Sequence, residues 1–382
     1  MNRFSRGLLT TATVLFTTLC GLSTAAPPGV VIDHSPAKSQ VYIGSPSLAV
    51  LANGDYVASH DFFGPKSTRD TNVVFASTDK GKTWIKRATI KGQWWSTLFV
   101  HGDALYLIGT TKEYGDCVIR KSTDGGKNWT EPKDANTGLL IAGKYHCAPV
   151  PVAVHNGRLW RGMEEYRGPV WGTFSAFMMS APIDADLLKA SSWTSTNRVP
   201  ASGTWMDEKI TSVLEGNAVV TPRGEVVDVL RVHQPNFVEA AAVMRVSQDG
   251  TKLEFDPKAG LVHFPGGSKK FTIRYDDKTK RYWALANSIP KEYRQGDTRP
   301  DRTRNTLSLI SSTDLKSWEV KKVLLTDPDV KTVGFQYVDW LFDGDDILAA
   351  VRTAYPEADG TKAHNAHDAN WLTFHRFEGF RK

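Results

Sequence analysis

Two segments of this 382-residue chain match almost letter for letter. They are Ser77-Thr78-Asp79-Lys80-Gly81-Lys82-Thr83-Trp84 and Ser122-Thr123-Asp124-Gly125-Gly126-Lys127-Asn128-Trp129. A third, Ser312-Thr313-Asp314-Leu315-Lys316-Ser317-Trp318, keeps the Ser-x-Asp and the tryptophan but loses the glycine, and Ser191-Ser192-Trp193-Thr194 is a further degenerate copy. The pattern is that of a turn. Its aspartate bonds backbone N–H groups ahead of it, its glycine supplies a positive φ, and its tryptophan plugs the turn against apolar space. A chain that repeats such a unit folds as stacked supersecondary blocks.

Six hairpins surround these turns, each two runs of β-branched and aromatic residues about a short Gly, Asn or Asp turn. They occupy 48–51/56–59, 98–100/105–108, 150–154/159–162, 218–220/226–230, 271–275/282–286 and 340–342/347–351. Each unit continues into one or two more strands. The last ends with 372–377 and no evident fourth strand, a place that 30–32 can fill, closing a ring and removing an exposed edge. The expected architecture is all-β: a single β-propeller of four-stranded blades, six by this count. The repeated turns resemble Asp-boxes, S-x-D-x-G-x-T-W, found between the third and fourth strands of sialidase-like propeller blades.

Ahead of the repeats, Arg3 and Arg6, an apolar run from Leu8 to Leu22 and the small residues Ser23 to Ala26 describe a secretory signal peptide over 1–26, with the propeller over 27–382. The expected location is extracellular or periplasmic, because the apolar run is too short and threonine-rich to span a membrane. Net charge is +6, which suits an acidic glycan as partner. No Lys/Arg stripe interleaves with aromatics, which argues against nucleic acid, and a soluble monomer with no membrane partner is expected. Cys117 and Cys147 can form one bridge in an oxidising compartment or remain two buried thiols.

In a propeller, the link from second to third strand and the approach to the first strand share one face near the axis. Read blade by blade, the links carry His60-Asp61, Lys112-Glu113, Glu164-Glu165, Arg231-Val232-His233, Asn287-Ser288 and Arg352. The approaches carry Ser45-Pro46, Trp94-Trp95, His146, Glu215-Gly216-Asn217, Lys269 and Gln336-Tyr337, and the last loop adds His364, His367 and Asp368. Four or five of the ten histidines thus fall on one face beside Arg, Glu, Asn and Tyr, the composition of a glycan-processing site. Any one of these residues is more often a satisfied turn residue; convergence at equivalent positions lifts the set. His364-x-x-His367-Asp368 lacks a distinctive zinc spacing, so no metal ligand is assigned. No cofactor is required, although oxygens near the axis suit a calcium ion.

The runs Tyr42-Ile43-Gly44-Ser45-Pro46-Ser47 and Gly54-Asp55-Tyr56-Val57-Ala58-Ser59-His60-Asp61-Phe62-Phe63-Gly64, with the tail His367-Asp368-Ala369-Asn370-Trp371-Leu372-Thr373-Phe374-His375-Arg376-Phe377, resemble one group of propeller enzymes. That group releases L-rhamnose from α-1,4-linked D-glucuronate on gum arabic and arabinogalactan, and its members are described as α-L-rhamnosidases or L-rhamnose-α-1,4-D-glucuronate lyases. The resemblance implies seven blades and an essential histidine at His60. β-Elimination at glucuronate needs a base for H5 and an acid for O4, which imidazole can serve. His60 is then the acid or base, with His233 or His146 as partner. Arg231 and Arg352, aided by Asn217 or Asn287, would hold the carboxylate, and Glu164 and Glu215 the rhamnose hydroxyls. Tyr337, His364 and His367 complete the substrate-facing set.

Three alternatives stay open. Glu164 and Glu215 can serve as the carboxyl pair of a hydrolase on the same bond. Tyr337 can act as the nucleophile of a sialidase, although Tyr42-Ile43-Gly44-Ser45-Pro46 lacks the arginine that sialidases carry ahead of blade one. Trp94, Trp95 and Trp171 can serve a glycan-binding propeller without catalysis.

Overall fold

The computed structural model describes residues 26–202, 205, 210–233, 239–294 and 299–382. The expected leader up to residue 25 lies outside them. The described strands form six antiparallel sheets, one per hairpin unit found in the sequence. The seven blades implied by the resemblance are therefore corrected to six: Leu139–Ile141 is the outer strand of blade two, Tyr145–His146 begins the inner edge of blade three, and Leu261–His263 lies at the outer edge of blade four.

The ring closes through strand exchange. Val30–His34 pairs antiparallel with Trp371–Phe377, so the first strand of the chain completes the last sheet. Six apolar clusters fill the interfaces between neighbouring blades, for example Tyr56, Phe75, Leu348 and Leu372 between blades six and one. No single central core exists; burial is distributed around the ring.

A polar belt near the axis stitches the blades. Ser47 Oγ accepts the Leu98 amide at 2.9 Å, Thr97 Oγ1 the Val150 amide at 3.2 Å, and Asn217 Oδ1 the Ile273 amide at 3.0 Å. Thr272 Oγ1 donates to the Val338 carbonyl at 2.7 Å, and Asp339 Oδ2 accepts the Leu48 amide at 2.9 Å, joining blade six to blade one. Each belt residue sits on an inner strand and satisfies a backbone group that the neighbouring sheet leaves unpaired.

At the rim, the repeated turns behave as their sequence requires. Asp79 accepts the Thr83 amide at 2.9 Å, Asp124 the Asn128 amide at 3.0 Å, and Asp314 the Ser317 amide at 2.8 Å. In the third copy Leu315 adopts φ 62°, so a leucine bears the backbone strain a glycine would avoid. Ser247-Gln248-Asp249-Gly250-Thr251 forms the same turn in blade four without a tryptophan. The Ser191-Ser192-Trp193 copy fills the equivalent place: Trp193 bonds the Leu187 carbonyl, and Asp186, ahead of the copy, accepts the Leu188 amide at 3.1 Å. Cys117 and Cys147 are free and buried. Cys147 donates to the Trp95 carbonyl, and burial pushes the Cys117 thiol up to about 12.

Candidate functional site

Three inner strands carry the same irregularity at the same height. The pairing slips between Trp94 and Thr97, between Leu214 and Asn217, and between Gln336 and Asp339. Each slip is a bulge in which a non-glycine residue takes positive φ: Trp95 at 48°, Glu215 at 60° and Tyr337 at 52°. Such strain persists only where surrounding structure enforces it, and bulges re-aim side chains. Here they turn Trp95, Glu215 and Tyr337 into one cavity of about 300 Å³ at the mouth of the axis.

The belt residues hold these bulges in place. Asn217 donates its amide to the carbonyls of Glu215, Val229 and Phe271. Lys270 Nζ and Thr272 Oγ1 both reach the Val338 carbonyl, next to Tyr337, at 2.7 Å.

Chemically the cavity pairs acids with arginines. Arg231 Nη1 lies 3.0 Å from Glu215 Oε2 and 3.5 Å from the Tyr337 hydroxyl, so one guanidinium links both. Burial pushes the Glu215 carboxyl up, but Arg231, with His146 and Lys270, outweighs it and holds the group below its ordinary value. Arg352 lies 4.6 Å and Arg304 5.8 Å over the Tyr337 ring. Neither guanidinium has a carboxylate partner among the described residues, and the buried Nε of Arg352 and Nε and Nη1 of Arg304 have no hydrogen-bond partner there. Burial, reinforced by Arg231 and Arg352, pushes Arg304 down to about 10. Arg352 lines the cavity and Arg304 lies behind the Tyr337 ring; each donates from Nη2 to a backbone carbonyl, of His367 and Asp301, and with no carboxylate partner their positive charge suits an anion in the cavity.

Asp61 faces this group from blade one. Its oxygens accept the Ser45 amide at 2.8 Å and the Trp95 amide at 2.7 Å, yet burial pushes the carboxyl up to about 6. On the blade-three wall, His146 Nδ1 lies 2.7 Å from Glu164 Oε2. That bond directs Nδ1–H to the carboxylate and leaves Nε2 as an acceptor. Among the described residues no group of three or more His, Cys, Asp or Glu side chains converges on a metal-sized site.

Several expected residues stand elsewhere. His60 does not line the cavity: it is fully buried between blades six and one, with Nε2 2.8 Å from Asp33 Oδ2, Nδ1 2.9 Å from the Asp61 carbonyl, and its ring stacked on Phe75. Strand alternation explains this, since Tyr56, Ala58 and His60 share one face and Val57, Ser59 and Asp61 the other. Asn217 and Asn287 are buried and donate their amide N–H groups to backbone carbonyls, and neither lines the cavity. Glu164 is sealed behind His146, bonding the Gly216 amide. His364 is exposed outside the cavity, bonded to Asp368 and parallel to the Tyr42 ring. His233 sits at the rim, edge-on to Trp171, and burial pushes it down to about 4. His146, Glu215, Tyr337, Arg352 and His367 do line the cavity, and Arg231 is bonded to its wall.

Sequence reading missed Arg304 and passed over Asp61. Arg304 lies in the blade-five link just ahead of the buried strand Thr306–Ser312, at the position equivalent to the other links from second to third strand. Asp61 was adjacent to the residue chosen; only the parity of the strand separates them.

A profile described as a BNR repeat-like domain matches residues 104–358. The fold is similar to that of an α-L-arabinanase from Penicillium chrysogenum, with a TM-score of 0.55 at 13% identity over 93% of this chain and 98% of that one. A protein of unknown function from Dyadobacter fermentans superposes with a TM-score of 0.60 at 16% identity, covering 92% of this chain and 100% of that one. The sialidase of Trypanosoma rangeli gives 0.56 at 14% identity, over 89% of this chain and 55% of its own. No functionally curated protein matches the sequence. At these identities the likeness shows a shared sialidase-like propeller.

Proposed function

The chain belongs to the BNR repeat-like domain family, and from its cavity we propose that it is an exo-acting glycosidase for a terminal sugar bearing a carboxylate. One observation carries the reading: the Tyr337 hydroxyl stands 3.5 Å from Arg231, which bonds Glu215, beside two guanidiniums without carboxylate partners. Arg352 would take the substrate carboxylate, with Arg304 adding positive charge from behind the Tyr337 ring. An anionic nucleophile would be repelled by that charge, whereas a phenol is neutral until it reacts, and sialidases use a tyrosine in this way. Tyr337 attacks the anomeric carbon as Glu215 accepts its proton, and Asp61 gives a proton to the departing oxygen. Water then displaces the tyrosine, Asp61 taking the water's proton and Glu215 returning one to Tyr337. The folds it resembles are described as an arabinanase, an arabinofuranosidase and a sialidase, which supports a glycan substrate.

Gly44 and Ser45 line the cavity where a sialidase carries its first arginine, and Arg352 enters instead from blade six. A uronic acid therefore suits the site better than a sialic acid. Incubation with glucuronate-terminated gum arabic oligosaccharides and with sialyllactose should release the acid from the former. Tyr337→Phe should lower kcat/KM about a thousandfold or more. Cleavage by Tyr337→Phe at the wild-type rate would exclude the tyrosine mechanism.

A second reading keeps release of rhamnose from glucuronate by elimination. It is favoured by the His146–Glu164 dyad, whose Nε2 is an available base, while the same arginines damp the uronate charge. Rhamnose-capped gum arabic oligosaccharides separate the two, because elimination leaves an unsaturated, ultraviolet-absorbing uronate and hydrolysis does not.

A further inference from the structure

Trp171 is half exposed, at 50%, and no other tryptophan among the described residues is exposed. It lines the mouth of the axial cavity, and its neighbour Val170 is 66% exposed. Val170 and Trp171 together leave adjoining apolar surface at the lip of a polar cavity, a place where apolar exposure marks a ligand-binding edge. Both of its ring contacts, to Phe174 at 6.1 Å and to His233 at 4.8 Å, are edge-to-face. Neither neighbour stacks on the indole.

The segment that presents this ring is held closed. The Arg167 amide donates to the Thr173 carbonyl at 2.9 Å, the Thr173 hydroxyl to the Val170 carbonyl at 2.7 Å, and the Tyr166 hydroxyl to the Pro169 carbonyl at 3.0 Å. A fixed indole loses little entropy when something packs on it. The cavity, at about 300 Å³, lies at the small end of ligand pockets and takes one sugar ring. The next residue of a glycan must then lie outside it, at the lip.

We propose that Trp171 is the stacking platform for the sugar on the leaving-group side of the bond cleaved, with His233 bordering the same subsite. The bound ring is a neutral pyranose that lays its C–H face on the indole. His233, neutral because burial and Arg231 depress it, offers a hydrogen bond without repelling or attracting charge. This subsite gives the enzyme preference for glycans over glycosides with small leaving groups, and it rests on the glycosidase reading above.

The test compares glucuronate-terminated gum arabic oligosaccharides with the methyl glycoside of the same acid. Trp171→Ala should lower kcat/KM for the oligosaccharides about tenfold, change the methyl glycoside less than about twofold, and be largely rescued in Trp171→Phe. Equal losses on both substrates, or none on the oligosaccharides, would overturn the platform while leaving the glycosidase reading intact. A binding arm uses Tyr337→Phe protein, whose tryptophan fluorescence should respond to the oligosaccharides and lose most of that response when Trp171→Phe is added. A full response in the double variant overturns the platform. No wild-type turnover of either substrate, together with no fluorescence response, removes both the platform and the reading beneath it.

Discussion

Asp61 carries its carboxyl at the cavity wall, with both oxygens accepting backbone amides from Ser45 and Trp95. Those bonds favour the anion, and burial wins against them. A general acid must hold its proton to work, so the rate should fall as pH rises through about 6. The kcat/KM profile checks this, and Asp61→Asn should remove the limb together with most of the activity. His60, one position earlier, belongs to the other side of the strand. Its bond to Asp33 clamps the chain's first strand to blade one. His60→Ala is therefore expected to lower the melting temperature while leaving kcat/KM within about tenfold of wild type. Burial pushes the Asp33 carboxyl up but the His60 bond outweighs it, and the net direction is down. The clamp's contribution is thus present above pH 3.8 and lost as pH falls below it, which acid denaturation of wild type and His60→Ala would show.

The bulge is the element that makes the site. An inner strand with regular pairing would alternate its side chains between the two neighbouring blades, and none would look along the axis. Placing two residues opposite one at Glu215-Gly216 and Tyr337-Val338 breaks that alternation and points one side chain into the mouth. The price is positive φ, and the support comes from the next blade. Asn217→Ala should cost about 1–3 kcal/mol, since the buried Ile273 amide loses its acceptor and the Glu215 carbonyl a donor. Urea denaturation reads that cost. The same variant should lower kcat more than it raises KM, because Glu215 is displaced and the anion site is not. Asn217 and Asn287 looked like ligand-binding residues from the sequence because they occur near the mouth; what they bind is backbone.

At the scale of the molecule, stability is a circular chain of interfaces, so its weakest joint is the closure. Val30–His34 covers the edge of Trp371–Phe377, and Asp339 joins blade six to blade one through Ser47 and Leu48 and to blade five through Arg274. Removing residues up to His34 should expose that edge and produce an aggregating protein, measured by size-exclusion chromatography and melting. Asp339→Ala should be destabilising by roughly 1–3 kcal/mol, because the buried Leu48 and Trp340 amides and the Ser47 hydroxyl lose their acceptor and the partly exposed Arg274 its partner. The truncation lies far from Tyr337 in sequence and Asp339 only two residues after it, and both changes should weaken the cavity, whose walls come from blades one, two, three, four and six.

The sequence by itself determined the blades. Asp-box turns and hairpin signals are local, with a period the backbone enforces, so six repeats and a closing strand from the N-terminus could be counted along the chain. It also marked the face on which chemistry gathers, and placed His146, Glu215, Arg231, Tyr337, Arg352 and His367 there. Which side chains turn into the cavity was decided only by tertiary structure. A single bulge or a single step of strand parity exchanges a buried clamp such as His60 for a cavity wall such as Asp61. Bulges are enforced from the neighbouring blade, by groups such as Lys270 and Thr272 that lie far along the chain from the residue they strain.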